Sequence, residues 1–144
     1  MFGPHLILEA YGCASANLAD LSALSKMLDT YPPRLGMTKI MPPYVFSYEG
    51  KHKEDWGVSG VVLIAESHIS VHTFPDKGFA TLDIFSCQEF DVDEAIKYFC
   101  DYFGPSSYDH KLIMRGREFP RSSGRARAIV EGEREKVALA SGSF

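Results

Sequence analysis

Residues 57–87 read Gly57-Val58-Ser59-Gly60-Val61-Val62-Leu63-Ile64-Ala65-Glu66-Ser67-His68-Ile69-Ser70-Val71-His72-Thr73-Phe74-Pro75-Asp76-Lys77-Gly78-Phe79-Ala80-Thr81-Leu82-Asp83-Ile84-Phe85-Ser86-Cys87. β-Branched and aromatic residues dominate the stretch, and apolar positions are interleaved with Ser, His, Thr and Asp. This pattern predicts strands over Val58–Ala65, His68–Phe74 and Phe79–Ser86. Pro75-Asp76-Lys77-Gly78 has the residues of a tight turn, so the last two strands form a hairpin.

Outward from this block the pattern changes period. Leu6–Tyr11 reads as a strand ended by Gly12. Leu18, Leu21, Ser25 and Leu28 then follow helical spacing between Ser15, a cap, and Pro32-Pro33, a stop, which predicts an amphipathic helix over 16–29. Leu35–Met41 and Tyr44–Tyr48 read as strands separated by Pro42-Pro43, with Glu49–Asp55 a polar loop. Asp91 followed by Glu94 starts a second amphipathic helix over 92–103, stopped by Gly104-Pro105. A last strand is expected near Tyr108–Met114. Two one-sided helices with six or seven closely connected strands give an α+β fold: a two-layer α/β sandwich, an antiparallel sheet with helices packed on one face.

The chain has 144 residues, 45% hydrophobic and 24% charged, as expected for one ordinary globular domain. No apolar run approaches the ~20 residues of a membrane span, and the N-terminus lacks the basic and apolar segments of a secretory leader. A cytoplasmic protein with no membrane partner is expected. Cys13, Cys87 and Cys100 are too few and too scattered for a disulfide framework or a structural zinc site. Charge is uneven: residues 1–110 carry 7 basic and 15 acidic side chains, whereas 111–127 carry six basic residues against Glu118 alone. The basic run has one aromatic, Phe119, and no surrounding motif, so it reads as a solvated or ion-paired tail rather than a nucleic-acid site. The expected organisation is a domain over 1–118 followed by a basic, flexible tail over 119–144.

Reactive side chains concentrate in 57–87: Ser59, Glu66, Ser67, His68, Ser70, His72, Asp76, Asp83 and Cys87. Strands often carry Ser and His on a solvent face, and an isolated cysteine is commonly a small buried hydrophobe. His68 and His72 on one strand lie about 13 Å apart, too far to share a metal ion at ~2 Å bond lengths, so no metal is expected. A hydrolytic triad would want a GxSxG elbow, which is absent.

Gly57-Val58-Ser59-Gly60, Glu66-Ser67-His68-Ile69-Ser70-Val71-His72-Thr73-Phe74-Pro75-Asp76 and Asp83-Ile84-Phe85-Ser86-Cys87 together resemble the signature of the small prokaryotic S-adenosylmethionine decarboxylase proenzymes. Gly3-Pro4-His5-Leu6-Ile7-Leu8-Glu9-Ala10-Tyr11-Gly12-Cys13 resembles that family's first strand, and the resemblance spans residues 3–114. It implies self-cleavage between Glu66 and Ser67 into chains 1–66 and 67–144. Ser67 would become a covalent pyruvoyl group that forms a Schiff base with the substrate amine, with neither metal nor pyridoxal phosphate. His72 and Ser59 would assist processing, His72 by removing the Cα proton of residue 67, and Cys87 would reprotonate the product. Strand parity puts Ser67 and His72 on opposite faces, so a bend at 66–67 is expected.

For the substrate, the resemblance points to an aromatic that stacks on adenine, with Phe46 favoured over Trp56. It also points to Asp76 as a ribose-binding acid in place of the family's Glu, and to Phe2, Phe46 and Phe74 as candidates around the sulfonium. Lys77 departs from the family pattern and brings a cation near that position. The product would serve as aminopropyl donor for spermidine synthesis, and the protomers are expected to form a homo-oligomer with sites near the interface. Two other readings remain at this point: the same chemistry on ornithine or arginine, with Asp76 pairing the distal cation, and a non-catalytic regulatory homologue.

Overall fold

The computed structural model describes residues 3–116 and 123–141. Seven strands form one antiparallel sheet: β1 Gly3–Tyr11, β2 Thr38–Lys39, β3 Tyr44–Tyr48, β4 Gly57–Ala65, β5 Ser67–Phe74, β6 Phe79–Ser86 and β7 Ser107–Arg115. Their order is β2-β4-β5-β6-β1-β7, and β3 also pairs with β4. The three strands of the 57–87 block therefore lie side by side, and the first strand of the chain enters next to the third. The expected antiparallel sheet with helices on one face is what the chain forms.

The first predicted helix divides into α1 Ser15–Ala19 and α2 Leu21–Arg34. Asp20 between them has an extended backbone, and its carboxylate accepts the Ala23 N–H at 3.0 Å, so it caps the second helix. α2 also runs through Pro32-Pro33, which were expected to stop it. Proline cannot donate, but its carbonyl still accepts, and both prolines occupy the last turn: Leu35 and Met37 donate to Pro32 O, and Gly36 donates to Pro33 O. Closing this helix end uses residues 35–37, so the strand expected over 35–41 shrinks to Thr38–Lys39. α3 Val92–Phe103 starts where expected, with Asp91 accepting the Glu94 N–H at 2.9 Å, and ends at Gly104 with φ 56°.

α1, α2 and α3 cover one sheet face. Leu6, Leu8, Val62, Ile69, Val71, Leu82 and Ile84 meet Leu18, Leu24, Leu28, Tyr31, Phe99 and Phe103 there, all fully or almost fully buried. Thr73 is the polar exception on this face. Its Oγ1 accepts the Val58 N–H at 3.0 Å and lies 2.7 Å from Leu18 O, which ties α1 to the sheet. None of these three helices lies over the opposite face, and it carries the side chains with chemistry.

A fourth helix, α4 Ser123–Ser141, lies where a flexible tail was expected. Ala, Glu, Arg and Lys favour helix intrinsically, while the weak apolar periodicity gave no amphipathic signal. Its described side chains from Glu133 to Leu139 are exposed. The domain boundary expected after residue 118 falls outside the described residues.

Candidate active site

The turn from β4 to β5 is a single residue, Glu66. At its exit Ser67 has φ 136°, a region that L-residues avoid and that costs on the order of 1–3 kcal/mol when occupied. The backbone thus departs from regular strand geometry at the 66–67 step, where a bend was expected. Beyond it Ile69, Val71 and Thr73 point into the core, and His68, Ser70 and His72 point to the other face.

Cys87, just past β6, holds the turn from the next strand. Its N–H donates to Glu66 O at 3.3 Å, and Glu66 N–H points at its Sγ at 3.4 Å. Glu66, Ser67 and Cys87 are thus brought together. The β1 backbone closes the other side: a Cβ on Gly3 would lie 1.8 Å from Ser86 O and 2.9 Å from Cys87 Cα, so only glycine allows the approach. A cavity of about 260 Å³ opens beside the turn between Met37, Thr38, Glu66, Cys87 and Glu89.

A second group forms at the opposite end of β5. Phe46 pairs with Ser59, and Ser59 with His72, so all three share one row across β3, β4 and β5. Ser59 Oγ lies 2.8 Å from His72 Nδ1. Phe46 is 43% exposed beside that pair, whereas Trp56 lines a separate depression with Glu49, His52 and Lys53. Phe74 packs between Tyr48 and Phe79, with ring centroids 6.5 and 5.7 Å away. Asp76 is exposed in the short 3₁₀ turn Pro75–Lys77 that follows β5. Lys77 is held by Asp55 of the polar loop at 2.5 Å, so the loop supplies a counter-charge for this lysine. Phe2 lies outside the described residues.

The two groups do not meet within one chain. Ser67 and His72 are five residues apart on a continuous strand, roughly 16 Å at ~3.3 Å per residue. Antiparallel partners lock both positions, Ser67 opposite Ser86 and His72 opposite Thr81. No side-chain rotation spans that gap.

A third cluster, near the Ser67 end, was not foreseen. His5 Nε2 lies 2.9 Å from Asp83 Oδ1, the Arg115 guanidinium carbon sits 3.8 Å over the Phe85 ring, and the His68 ring is edge-on to Phe85 at 6.1 Å. Burial, with His5 and Arg115 nearby, lowers the His68 pKa against the opposing pull of Asp83. Its members come from β1, β5, β6 and β7, and no local motif links positions that far apart in sequence. The remaining thiols are quiet by comparison. Burial pushes Cys13 up to about 11 and raises Cys100, so both stay protonated at neutral pH.

A sequence profile described as S-adenosylmethionine decarboxylase matches residues 4–116, which include all three clusters. The chain belongs to that family. A proenzyme of this name from Archaeoglobus fulgidus is 36% identical over 79% of this chain and 97% of its own length. Another, from Pyrococcus horikoshii, is 38% identical over 81% of this chain and 80% of its own. The crystal structure of the adenosylmethionine decarboxylase from Aquifex aeolicus matches with a TM-score of 0.66 and 28% identity, covering 85% of this chain and 96% of that one. Among the described residues no helix is long and apolar enough to cross a membrane.

Proposed function

We propose that this chain is a self-processing decarboxylase that acts on S-adenosylmethionine and yields an aminopropyl donor for spermidine synthesis. The observation that carries this reading is the Glu66–Ser67 turn. A serine in a disfavoured backbone conformation follows a carbonyl that already accepts a hydrogen bond from Cys87 N–H. Family membership supplies the reaction class.

Ser67 Oγ adds to the Glu66 carbonyl carbon, and Cys87 N–H stabilises the oxyanion as it forms. Breaking the C–N bond turns the amide into an ester and relieves the strain at Ser67. Removal of the Cα proton of residue 67 expels the Glu66 carboxylate, and hydrolysis of the dehydroalanine that remains releases ammonia and leaves a ketone. That ketone, a pyruvoyl group, supplies the electron sink for decarboxylation of an α-amino acid. Cys87 Sγ lies at the turn and is the proton donor to the product.

The base is His72, oriented by Ser59. Because it stands ~16 Å from Ser67 in its own chain, a second copy supplies it. The active unit is therefore a homo-oligomer in which one protomer contributes Glu66, Ser67 and Cys87, and its partner contributes Phe46, Ser59, His72 and Asp76. Phe46 is the stacking aromatic in this assignment, since it borders the Ser59–His72 pair. Asp55 takes up the charge of Lys77, which removes the main electrostatic objection to a sulfonium substrate. No observation favours ornithine or arginine.

Intact mass and a CO₂-release assay test the reading together. The purified chain is expected as fragments of 66 and 78 residues, with CO₂ released from S-adenosylmethionine and none from ornithine or arginine. An uncleaved chain, or release confined to the basic amino acids, overturns it.

A further inference from the structure

Arg115 stands at the end of β7, the edge strand, yet its side chain crosses β1 to place its guanidinium carbon 3.8 Å over the Phe85 ring of β6. Its Nη1 is 3.4 Å from His5 Nδ1, and His5 Nε2 is 2.9 Å from Asp83 Oδ1. Arginine can only donate, so a hydrogen bond from Nη1 uses Nδ1 as acceptor and leaves Nε2–H to donate to Asp83. The guanidinium is therefore held over a ring face and beside the His5 imidazole. Among the described residues no carboxylate pairs with it directly, because His5 stands between Asp83 and Arg115. Arg115 remains exposed, so donors of its fork beyond the one facing His5 are open to a ligand.

The place it occupies is the Ser67 end of the sheet. Asp83 and Phe85 share one face of β6, and Cys87 follows Phe85 by two residues, just past the end of that strand. His68, the neighbour of Ser67, meets the same Phe85 ring. Gly3, the register partner of Arg115, abuts Cys87.

We infer that Arg115 is the carboxylate-binding residue of the site, gripping the α-carboxylate of the amino-acid substrate beside Ser67 and Cys87, with His5 and Asp83 as its positioning residues. The inference rests on the decarboxylase reading. Any α-amino acid brought to residue 67 carries one anionic group, and a guanidinium fork matches it with two parallel hydrogen bonds. The sulfonium end of the substrate extends away from this cation, toward the aromatic residues of the partner protomer. The reaction removes the very group that Arg115 holds, so the anchor favours substrate over product and the decarboxylated amine leaves freely.

That asymmetry provides the test. In the full, self-cleaved protein, Arg115→Met is expected to raise the KM for S-adenosylmethionine about 10- to 100-fold, the loss of a charged hydrogen-bonded pair. The inhibition constant of the decarboxylated product should change less than twofold, and cleavage into the two fragments should persist. Arg115→Lys keeps the charge and loses the fork, so an intermediate rise in KM is expected, and it carries the same readouts if the methionine variant does not accumulate. KM within twofold of the parent in the processed variants, or a product constant that rises in step with KM, overturns the inference. A cleaved parent that releases no CO₂ overturns the decarboxylase reading and this inference with it, whereas an active parent with unaltered variants overturns this inference alone.

Discussion

If the base and the cleaved bond come from different protomers, two inactive chains should repair each other. Ser67→Ala removes the nucleophile and leaves the Ser59–His72 pair intact, whereas His72→Ala removes the base and leaves the strained turn intact. Each alone is expected to remain full length. The strand separation of roughly 16 Å is what makes the mixture informative, since no motion of a rotamer or a one-residue turn closes it. When the two chains are co-expressed in equal amounts and pair at random in dimers, about half of the dimers are mixed. Each mixed dimer has one complete site, formed by Ser67 of the His72→Ala chain and His72 of the Ser67→Ala chain. About half of the His72→Ala chains, or about a quarter of all chains, should then be cut. Differential tags and intact-mass spectrometry count them. Cleavage in His72→Ala alone, or none in the mixture when mixed dimers are demonstrated, refutes the division of labour.

Thr73→Val should lower stability by about 1–3 kcal/mol, because it leaves Leu18 O and Val58 N–H without their buried partner while preserving shape. Urea unfolding at fixed protein concentration measures this. His68 should contribute a pH dependence of definite sign. Its pKa is lowered in the fold, mainly by burial, with His5 and Arg115 adding to the effect and Asp83 opposing it. The unfolded chain therefore binds more protons below about pH 6.5, and stability falls as pH drops from there toward the folded value. Unfolding curves of His68→Gln between about pH 7.5 and 5 should show a shallower fall than those of the parent.

Much of this molecule was legible before folding because its signals are local. Alternation in 57–87 specifies three adjacent strands, Asp91 and Glu94 mark a helix start, and the Glu66-Ser67-His68 and Cys87 segments point to one chemistry. Where the reading erred, a neighbouring group decided the outcome. Pro32 and Pro33 accept hydrogen bonds from residues 35–37, so the helix runs longer and the next strand shorter than their composition suggests. In the tail, intrinsic helix propensity acted where amphipathic spacing was too weak to read.

The sequence by itself determined the three central strands, the α3 helix and the covered face, and it named the candidate reactive residues, since these follow from period, propensity and motif along the chain. Tertiary structure alone decided the distances. It set Cys87 against Glu66, kept His72 about five strand rises from Ser67, and laid Arg115 across β1 onto Phe85. Such relations depend on register and strand order, which join residues as far apart as His5 and Arg115, 110 positions from each other, and no local pattern encodes them.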